Sequence, residues 1–432
     1  MQRKNNYSWI SPSDIFMIAI IISGGFVTIL NQTVLSPALP SIMRDFQIAP
    51  SQGQWLTTAF MLVNGIMIPI TAYLIDRFST RKLFIGSMSI FTIGTALAAI
   101  APNFNTLMAA RILQAIGAGI QMPLGAVVMM LLFPKEKRGI AMGIVGIVIA
   151  FAPAVGPTLA GWVVDTWGWH YIFGAIVPLA LLVIVFSFFF LRNIGQTHHT
   201  HLDWPSVVLS TLAFGSLLYG FSAAASYGWL GTFTIMPLVV GSITLYFYVK
   251  RQLALEQPLL NLRVLKSRIF AYSTLLSMII NASLLVGAII MPILLQDVLG
   301  YSAFDSGLLM MPGAIVLGIM SPISGTLFDR FGPRMLAISG LLILTITSAV
   351  LGFVTVNTTF TFMCILFTIR NFGIAMINMP INTWGINALD NKDIAHGNAI
   401  NNTARQIAGS IGTAFLITIM TMVMNNHAAS IW

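Results

Sequence analysis

Charged residues are scarce in this chain of 432 residues, because they make up 8% of it against about 25% in a typical soluble domain. Hydrophobic residues make up 57%, and the mean hydropathy is +0.89. A soluble globule of this composition would expose large apolar patches and aggregate. The composition therefore excludes a soluble enzyme, a disordered chain and a nucleic-acid-binding protein.

Cysteine occurs once, as Cys364, which excludes a disulfide framework and any multi-cysteine metal site. The histidines cluster only in Thr197-His-His-Thr-His201, where Asp203 is the one acid nearby, so we predict a solvated loop and no metal site. No Walker A pattern is present, which argues against ATP as the energy source. We predict no cofactor.

The apolar residues form 13 runs, each long enough for a membrane-spanning helix, which needs about 20 residues. The sequence thus predicts an all-α integral membrane protein whose main partner is the lipid bilayer. The predicted spans lie near residues 15–39, 53–75, 82–101, 104–132, 139–164, 169–191, 205–225, 230–250, 269–296, 304–328, 334–356, 359–384 and 397–424.

The net charge of +9 comes from 21 basic and 12 acidic residues, and their positions predict the topology. With the N-terminus in the cytoplasm, 17 basic residues fall in cytoplasmic segments and only Arg44 lies outside, as the positive-inside rule requires. The other three, Arg111, Arg370 and Arg405, fall within spans. We therefore predict a multi-pass protein of the plasma membrane with its C-terminus outside.

The chain contains an internal repeat. Residues Leu74–Leu83 match Leu327–Leu336 at six of ten positions with an offset of 253, and Pro40 and Pro292 repeat at 252. This pattern predicts two six-helix bundles related in parallel. We expect a first bundle at 1–191, two inserted helices with a cytoplasmic linker at 192–268, and a second bundle at 269–432. The offset places the last helix of the second bundle near 421–443, so we expect five helices there and a missing last span.

Five segments carry motifs of one family. They are Leu30–Pro40 with L-N-Q-T and A-L-P, Ala72–Arg81 with L-I-D-R, Arg111–Gly119 with R-I-L-Q, Ala152–Gly161 with P-A-V-G-P, and Gly397–Gln406 ending in R-Q. Together they resemble the 14-span drug:proton antiporters of the major facilitator superfamily, the EmrB/QacA-type multidrug exporters. The resemblance implies that small amphipathic substrates are exported by alternating access in exchange for protons.

Two sets of residues are candidates for moving parts. Acids and bases at the cytoplasmic helix ends can pair across the halves and lock that face; the alternative is solvated loops, since surface pairs contribute about 0–1 kcal/mol. Glycines and prolines in the fifth span suit a hinge, although an ordinary packing seam would look the same. The gating residues are Asp76, Arg77, Arg81, Asp329 and Arg330, and the hinge residues are Pro153, Gly156, Pro157 and Gly161.

A polar cavity is expected where spans one and four meet their repeats. An arginine at mid-span, such as Arg111, costs about 2.5–3.5 kcal/mol on insertion scales and so faces the bundle interior. The family pattern has an aspartate where this chain has Asn31, and no acid lies clearly at mid-span. Asp297 or Asp305 near the outer mouth could carry a proton instead. The predicted cavity residues are Asn31, Gln32, Thr33, Arg111, Gln114, Gln121, Asn281, Asn371 and Asn378.

Two other functions stay open from the sequence. Three arginines within spans and no acid there would favour an anionic or lipid-like metabolite as the substrate. The absent first-span acid and last helix would also fit a truncated homologue that does not transport.

Overall fold

The computed structural model describes residues 11–48, 50–194, 203–295, 299–301, 303–355 and 357–429. The described residues form fourteen α-helices and no β-strand. The helices are α1 (Pro12–Thr33), α2 (Leu35–Phe46), α3 (Pro50–Arg77), α4 (Thr80–Ala99), α5 (Phe104–Leu132), α6 (Arg138–Trp167), α7 (His170–Phe190), α8 (Trp204–Tyr227), α9 (Thr232–Ala254), α10 (Arg268–Ile293), α11 (Ala303–Phe331), α12 (Pro333–Leu351), α13 (Phe360–Asn387) and α14 (Ile394–Ala429).

Each of the thirteen predicted spans coincides with a helix, and eleven helices in the described part are long and apolar enough to cross a membrane. The first span differs from its predicted bounds, because it is divided at Val34 between α1 and α2. Pro37 has no backbone N–H and cannot bond to the carbonyl of Thr33, so the regular helix is interrupted at this point. The helical path then continues to Phe46, beyond the predicted end of the span.

Several helices begin at polar caps. Ser11 and Asp14 form a capping box at α1, and the Asn103 side chain accepts the backbone N–H of Thr106 at α5. Such caps satisfy N–H groups that have no partner inside the helix. In a bilayer this matters more than in water, because lipid offers no hydrogen bonds to the backbone.

The helices pack as two bundles with an inserted pair. In the first bundle α4 packs against α5 and α7, while α1 packs against α5, α6 and α7. In the second bundle α13 packs against α10, α11 and α12, and α10 packs against α14. Apolar side chains on the outer faces of α7 and α9, such as Phe189 and Met236, are exposed to the surroundings. This exposure suits helices that face lipid.

Two helix pairs hold the halves together. Helix α6 of the first half packs along α11 of the second, and α3 of the first half packs along α14 of the second. The repeat relates these pairs, since α6 corresponds to α14 and α3 to α11. The inserted hairpin of α8 and α9 lies beside the second pair, with α8 in contact with both α3 and α14.

The base of the hairpin is fixed by Asp203. Its carboxylate accepts the Ser206 N–H at the start of α8 at 3.2 Å. It also accepts hydrogen bonds from Nε and Nη2 of Arg251 at the end of α9, both at 2.7 Å. The hydrogen bonds from Arg251 are the main reason that the pKa of Asp203 falls to about 2. The carboxylate thus caps one helix and joins it to the other.

We expect Asp203→Ala to lower the stability of the protein at pH 7 by about 1–2 kcal/mol, through the loss of the cap and the ion pair. Because the pKa is lowered in the folded protein, this stabilisation is complete above the ordinary aspartate pKa and disappears as the pH falls toward about 2. Thermal unfolding of the purified protein in detergent at pH 7 and about pH 3 measures the difference. Glu256→Ala, which removes an exposed acid nearby, is the control. If Asp203→Ala lowers the stability by the same amount at both pH values, the lowered pKa of Asp203 is contradicted.

Candidate functional site

A buried arginine lies at the centre of the first half. Arg111 on α5 has no solvent-exposed surface, and its guanidinium lies 4.3 Å from the centre of the Phe60 ring on α3. Its Nε donates to the carbonyl of Leu56 and its Nη1 donates to Oε1 of Gln114 at 2.8 Å. All three partners are uncharged, so in the described part of the chain dipoles and an aromatic face balance its charge.

The network continues from Gln114 to the first helix. Its Nε2 lies 3.4 Å from Oδ1 of Asn31 on α1 and 3.2 Å from Oγ1 of Thr95 on α4. Asn31 is fully buried, and its Nδ2 has no hydrogen-bond partner among the described residues. An aspartate at this position would place a carboxylate one side chain away from Arg111.

The other predicted cavity residues of the first half lie apart from this network. Gln121 donates to the carbonyl of Phe84 and to Ser87, and so joins α5 to α4. Gln32 is partly exposed, and Thr33 donates to the carbonyl of Leu30 in its own helix.

The second half repeats the arginine arrangement with different partners. Arg370 on α13 donates through Nη2 to the carbonyl and the hydroxyl of Ser283 on α10, while its Nη1 has no partner in the described part. Asn281 donates to the backbone carbonyl of Arg405 on α14 at 2.8 Å. The other two predicted residues are buried on α13: Asn371 lies against Gly313, and Asn378 leaves Oδ1 without a partner among the described residues.

Ser283 stands where the repeat places the counterpart of Asn31. The two positions are 252 residues apart, the offset that also relates Pro40 to Pro292. Each half therefore places a buried arginine of α5 or α13 near a neutral side chain of α1 or α10, directly in one half and through Gln114 in the other.

Asp329 joins the halves at one end of the bundle. Its two carboxylate oxygens accept the N–H groups of Gly139 and Ile140 in the first turn of α6, each at 3.1 Å. A carboxylate is well suited to this place because the start of a helix presents unpaired N–H groups and partial positive charge. We call this end, where Arg77, Arg138 and Arg330 lie, the basic end.

The second predicted gating acid also reaches the other half. Asp76 on α3 lies 3.1 Å from Nε2 of His396 in the first turn of α14. Both carboxylates thus contact the opposite half, but there they bind backbone amides and an imidazole rather than the basic side chains expected from the sequence. Arg81 donates to the carbonyl of Phe188 in its own half, and the Arg330 guanidinium lies 5.2 Å from the Phe331 ring. Arg77 is the last residue of α3, and it is not free of partners.

The halves approach each other closely at glycines. A Cβ on Gly139 of α6 would overlap the carbonyl oxygen of Gly325 on α11, and a Cβ on Gly143 would lie 2.6 Å from Cα of Pro322. Only glycine leaves room for this backbone contact. The close approach of α6 and α11 at the basic end therefore depends on glycines in both helices.

The predicted hinge residues have different surroundings. Gly156 is buried, and a Cβ there would overlap Oγ1 of Thr33 on α1. Pro153 is exposed, and an added Cβ on Gly161 would meet no atom within 4 Å. The side chain of Pro157 lies outside the described part, as do Asp297 and the segment 197–201.

Sequence reasoning missed the residues that bind across the halves. Arg138 is buried, and it donates to Asn387 and Asn391 of the second half. His396 was not selected either, although a short echo could have found it. Ile140-Ala-Met-Gly143 repeats as Ile394-Ala-His-Gly397 at an offset of 254.

We expect Gly325→Ala to open the basic end, because its Cβ would overlap the backbone of Gly139. Overpacking costs about 1–3 kcal/mol, so the open fraction should rise about fivefold or more. A cysteine in place of the buried Ser321, in a Cys364→Ser background, reports opening by its rate of reaction with a maleimide. Gly161→Ala is the matched control. Equal rates in the two alanine variants would contradict the expectation.

Comparisons with known proteins agree with this architecture. A model of the Major Facilitator Superfamily matches residues 21–413. The uncharacterized MFS-type transporter YcnB of Bacillus subtilis (strain 168) is 49% identical over 413 residues, which are 96% of this chain and 87% of that protein. The lincomycin resistance protein LmrB of the same organism is 39% identical over 417 residues, again 96% and 87%.

More distant proteins share the fold. The multidrug export protein EmrB of Haemophilus influenzae is 30% identical over 399 residues, 91% of this chain and 78% of that protein. The crystal structure of the human organic anion transporter MFSD10 (TETRAN) superimposes with a TM-score of 0.67 at 15% identity, over 94% of this chain and 93% of that one. With two related helix bundles and a family match across nearly its whole length, this chain belongs to the Major Facilitator Superfamily, whose members are transporters rather than enzymes.

Proposed function

We propose that this protein exports small amphipathic compounds across the plasma membrane in exchange for protons. The observation that carries the proposal is its extended similarity to a lincomycin resistance protein and to a multidrug export protein, over more than nine-tenths of the chain. The basic end is the cytoplasmic side in this proposal, in accordance with the positive-inside rule. The three parts expected from the repeat, 1–191, 192–268 and 269–432, act as two moving bundles and an insertion.

The contacts at the basic end support alternating access. Both seams combine a carboxylate of one half with the start of a helix in the other, at Asp329 with Gly139 and at Asp76 with His396. Hydrogen bonds of this kind can break without any change in the packing inside either bundle. In this proposal these contacts keep the basic end closed, and export proceeds by opening them to load substrate from the cytoplasm.

The buried network of the first half is the proposed coupling region. Arg111 is connected to Asn31 through Gln114, so a movement of Asn31 on α1 would alter the hydrogen bonding of the arginine on α5. Because an amide does not exchange a proton near neutral pH, coupling in this chain requires a proton carrier other than Asn31.

Export is tested in cells that lack their own drug pumps. We expect the chain to lower the accumulation of a cationic dye and to raise resistance to lincomycin. Asp329→Ala removes the acceptor of two N–H groups and should reduce export strongly. The basic end then loses one of the two contacts, at Asp329 and at Asp76, that keep it closed in this proposal. If neither compound moves although the protein is folded in the membrane, the proposal is wrong.

A second candidate is a carrier of anions. Arg111 and Arg370 are buried without a carboxylate among their recorded partners, and Nη1 of Arg370 has no partner in the described part. Positive charge of this kind favours anionic substrates. An anionic dye in the same efflux assay separates the candidates, because only the anion carrier would move it in preference to the cationic dye.

We expect Asn31→Asp to make transport depend more steeply on pH. The new carboxylate would lie within the network of Arg111 and would titrate as its surroundings change between the two states. Initial rates of dye efflux between about pH 6 and pH 8 measure the effect. Asn31→Ser, which stays neutral, is the control, and identical pH profiles for the two variants would exclude a coupling role for this position.

A further inference from the structure

His396 occupies a position with two different hydrogen-bond partners. It is 7% exposed in the first turn of α14. Its Nε2 lies 3.1 Å from Oδ2 of Asp76 on α3, and its Nδ1 accepts the backbone N–H of Asn261 at 3.2 Å. Since a backbone N–H can only donate, Nδ1 must hold a lone pair. The arrangement therefore requires a neutral imidazole with its proton on Nε2, donated to Asp76.

Asn261 belongs to the segment 255–267, which connects the inserted hairpin to the second half. The preceding residue, Leu260, donates its N–H to Gln252 at the end of α9, and Gln252 donates to Ser206 at the start of α8. Ser206 in turn donates to Asp203, which binds Arg251. A chain of hydrogen bonds thus runs from the base of the hairpin to His396, with one peptide unit between Leu260 and Asn261.

The corresponding contact between α11 and α6, at Asp329, contains no imidazole. Asp329 accepts the N–H groups of Gly139 and Ile140, and the residue that corresponds to His396 in the repeat is Met142. Only the lock beside the hairpin therefore contains an imidazole, the side chain whose charge ordinarily changes between pH 5 and 8. The insertion is thus joined to the contact that contains an imidazole.

The charged groups around His396 come from three elements. Helix α3 contributes Asp76 and the adjacent Arg77, and the turn before α14 contributes Asp393, which accepts from Nδ2 of Asn261 at 2.9 Å, next to the exposed Lys392. Arg263 of the connecting segment donates to the carbonyls of Leu253 and Leu255 instead. Asp76 can accept from Nε2 in either charge state of the ring, so a second proton leaves that contact in place.

We propose that a proton taken up by His396 breaks one of the hydrogen bonds that join the connecting segment 255–267 to α14. A second proton on the ring must bind to Nδ1, which then presents N–H to the N–H of Asn261. Two donors cannot bond to each other, so the backbone N–H of Asn261 loses its acceptor, while the contact with Asp76 persists as a charge-assisted hydrogen bond. Acidification at the basic end would therefore loosen the connecting segment at Asn261, where the side-chain bond to Asp393 remains, and leave the contact between α3 and α14 in place. The inference goes beyond the proposed export and does not depend on it.

Hydrogen exchange of the purified full-length protein in detergent tests the loss of this hydrogen bond directly. Exchange is measured by mass spectrometry at about pH 8 and about pH 5.5 and corrected for the intrinsic dependence on pH. We expect the protection of peptides that contain Asn261 to fall about tenfold at the lower pH, the loss of one hydrogen bond. Gly139 and Ile140, bound to Asp329, should keep their protection and serve as an internal control.

Two variants separate titration from structural damage. His396→Asn places an amide oxygen where Nδ1 accepts, so Asn261 should stay protected at both pH values. His396→Gln keeps a donor for Asp76 but offers no acceptor to Asn261, so protection there should be low at both. The proposal is overturned if the wild-type protein keeps its protection at low pH, or if His396→Asn loses as much as the wild type. None of these measurements requires transport, so they are independent of the efflux assay.

Discussion

The N–H groups at the start of α6 impose the constraint on which the closed arrangement depends. These groups have no partner within their own helix, and at Gly139 and Ile140 the partner is Asp329 of the opposite half. Satisfying them requires α11 to approach until backbone meets backbone, which explains why Gly139 and Gly325 face each other. Hydrogen bonding and packing are thus satisfied together where the halves meet at the basic end.

The repeat explains why the second seam resembles the first without copying it. Helices α3 and α14 correspond to α11 and α6, and Asp76 corresponds to Asp329. In the second seam, however, the carboxylate binds a side chain in the first turn of the helix rather than the backbone N–H groups of that turn. The duplication preserves the acid and the approach of two helices, while the partner has diverged.

The sequence was sufficient for the spans and the repeat because both depend on local composition, and all thirteen predicted spans coincide with helices. It also selected Arg111 and Gln114, which lie three residues apart and share one helix face. It could not identify Thr95 or His396 as partners, since those contacts join helices that are distant in the chain. The break at Val34 was missed because an apolar run does not reveal where backbone hydrogen bonds are interrupted.

The arginines within the spans have an electrical consequence. Each elementary charge that crosses the full membrane potential changes the free energy by about 2.3 kcal/mol per 100 mV. Arg111 and Arg370 are held by uncharged partners in the described structure, so their charge moves with their helices. If the two halves rotate against each other, the guanidiniums move through the electric field of the membrane, and the membrane potential changes the free energy of that movement. Membrane voltage is then itself a term in the balance between the two states, whatever ion accompanies the substrate.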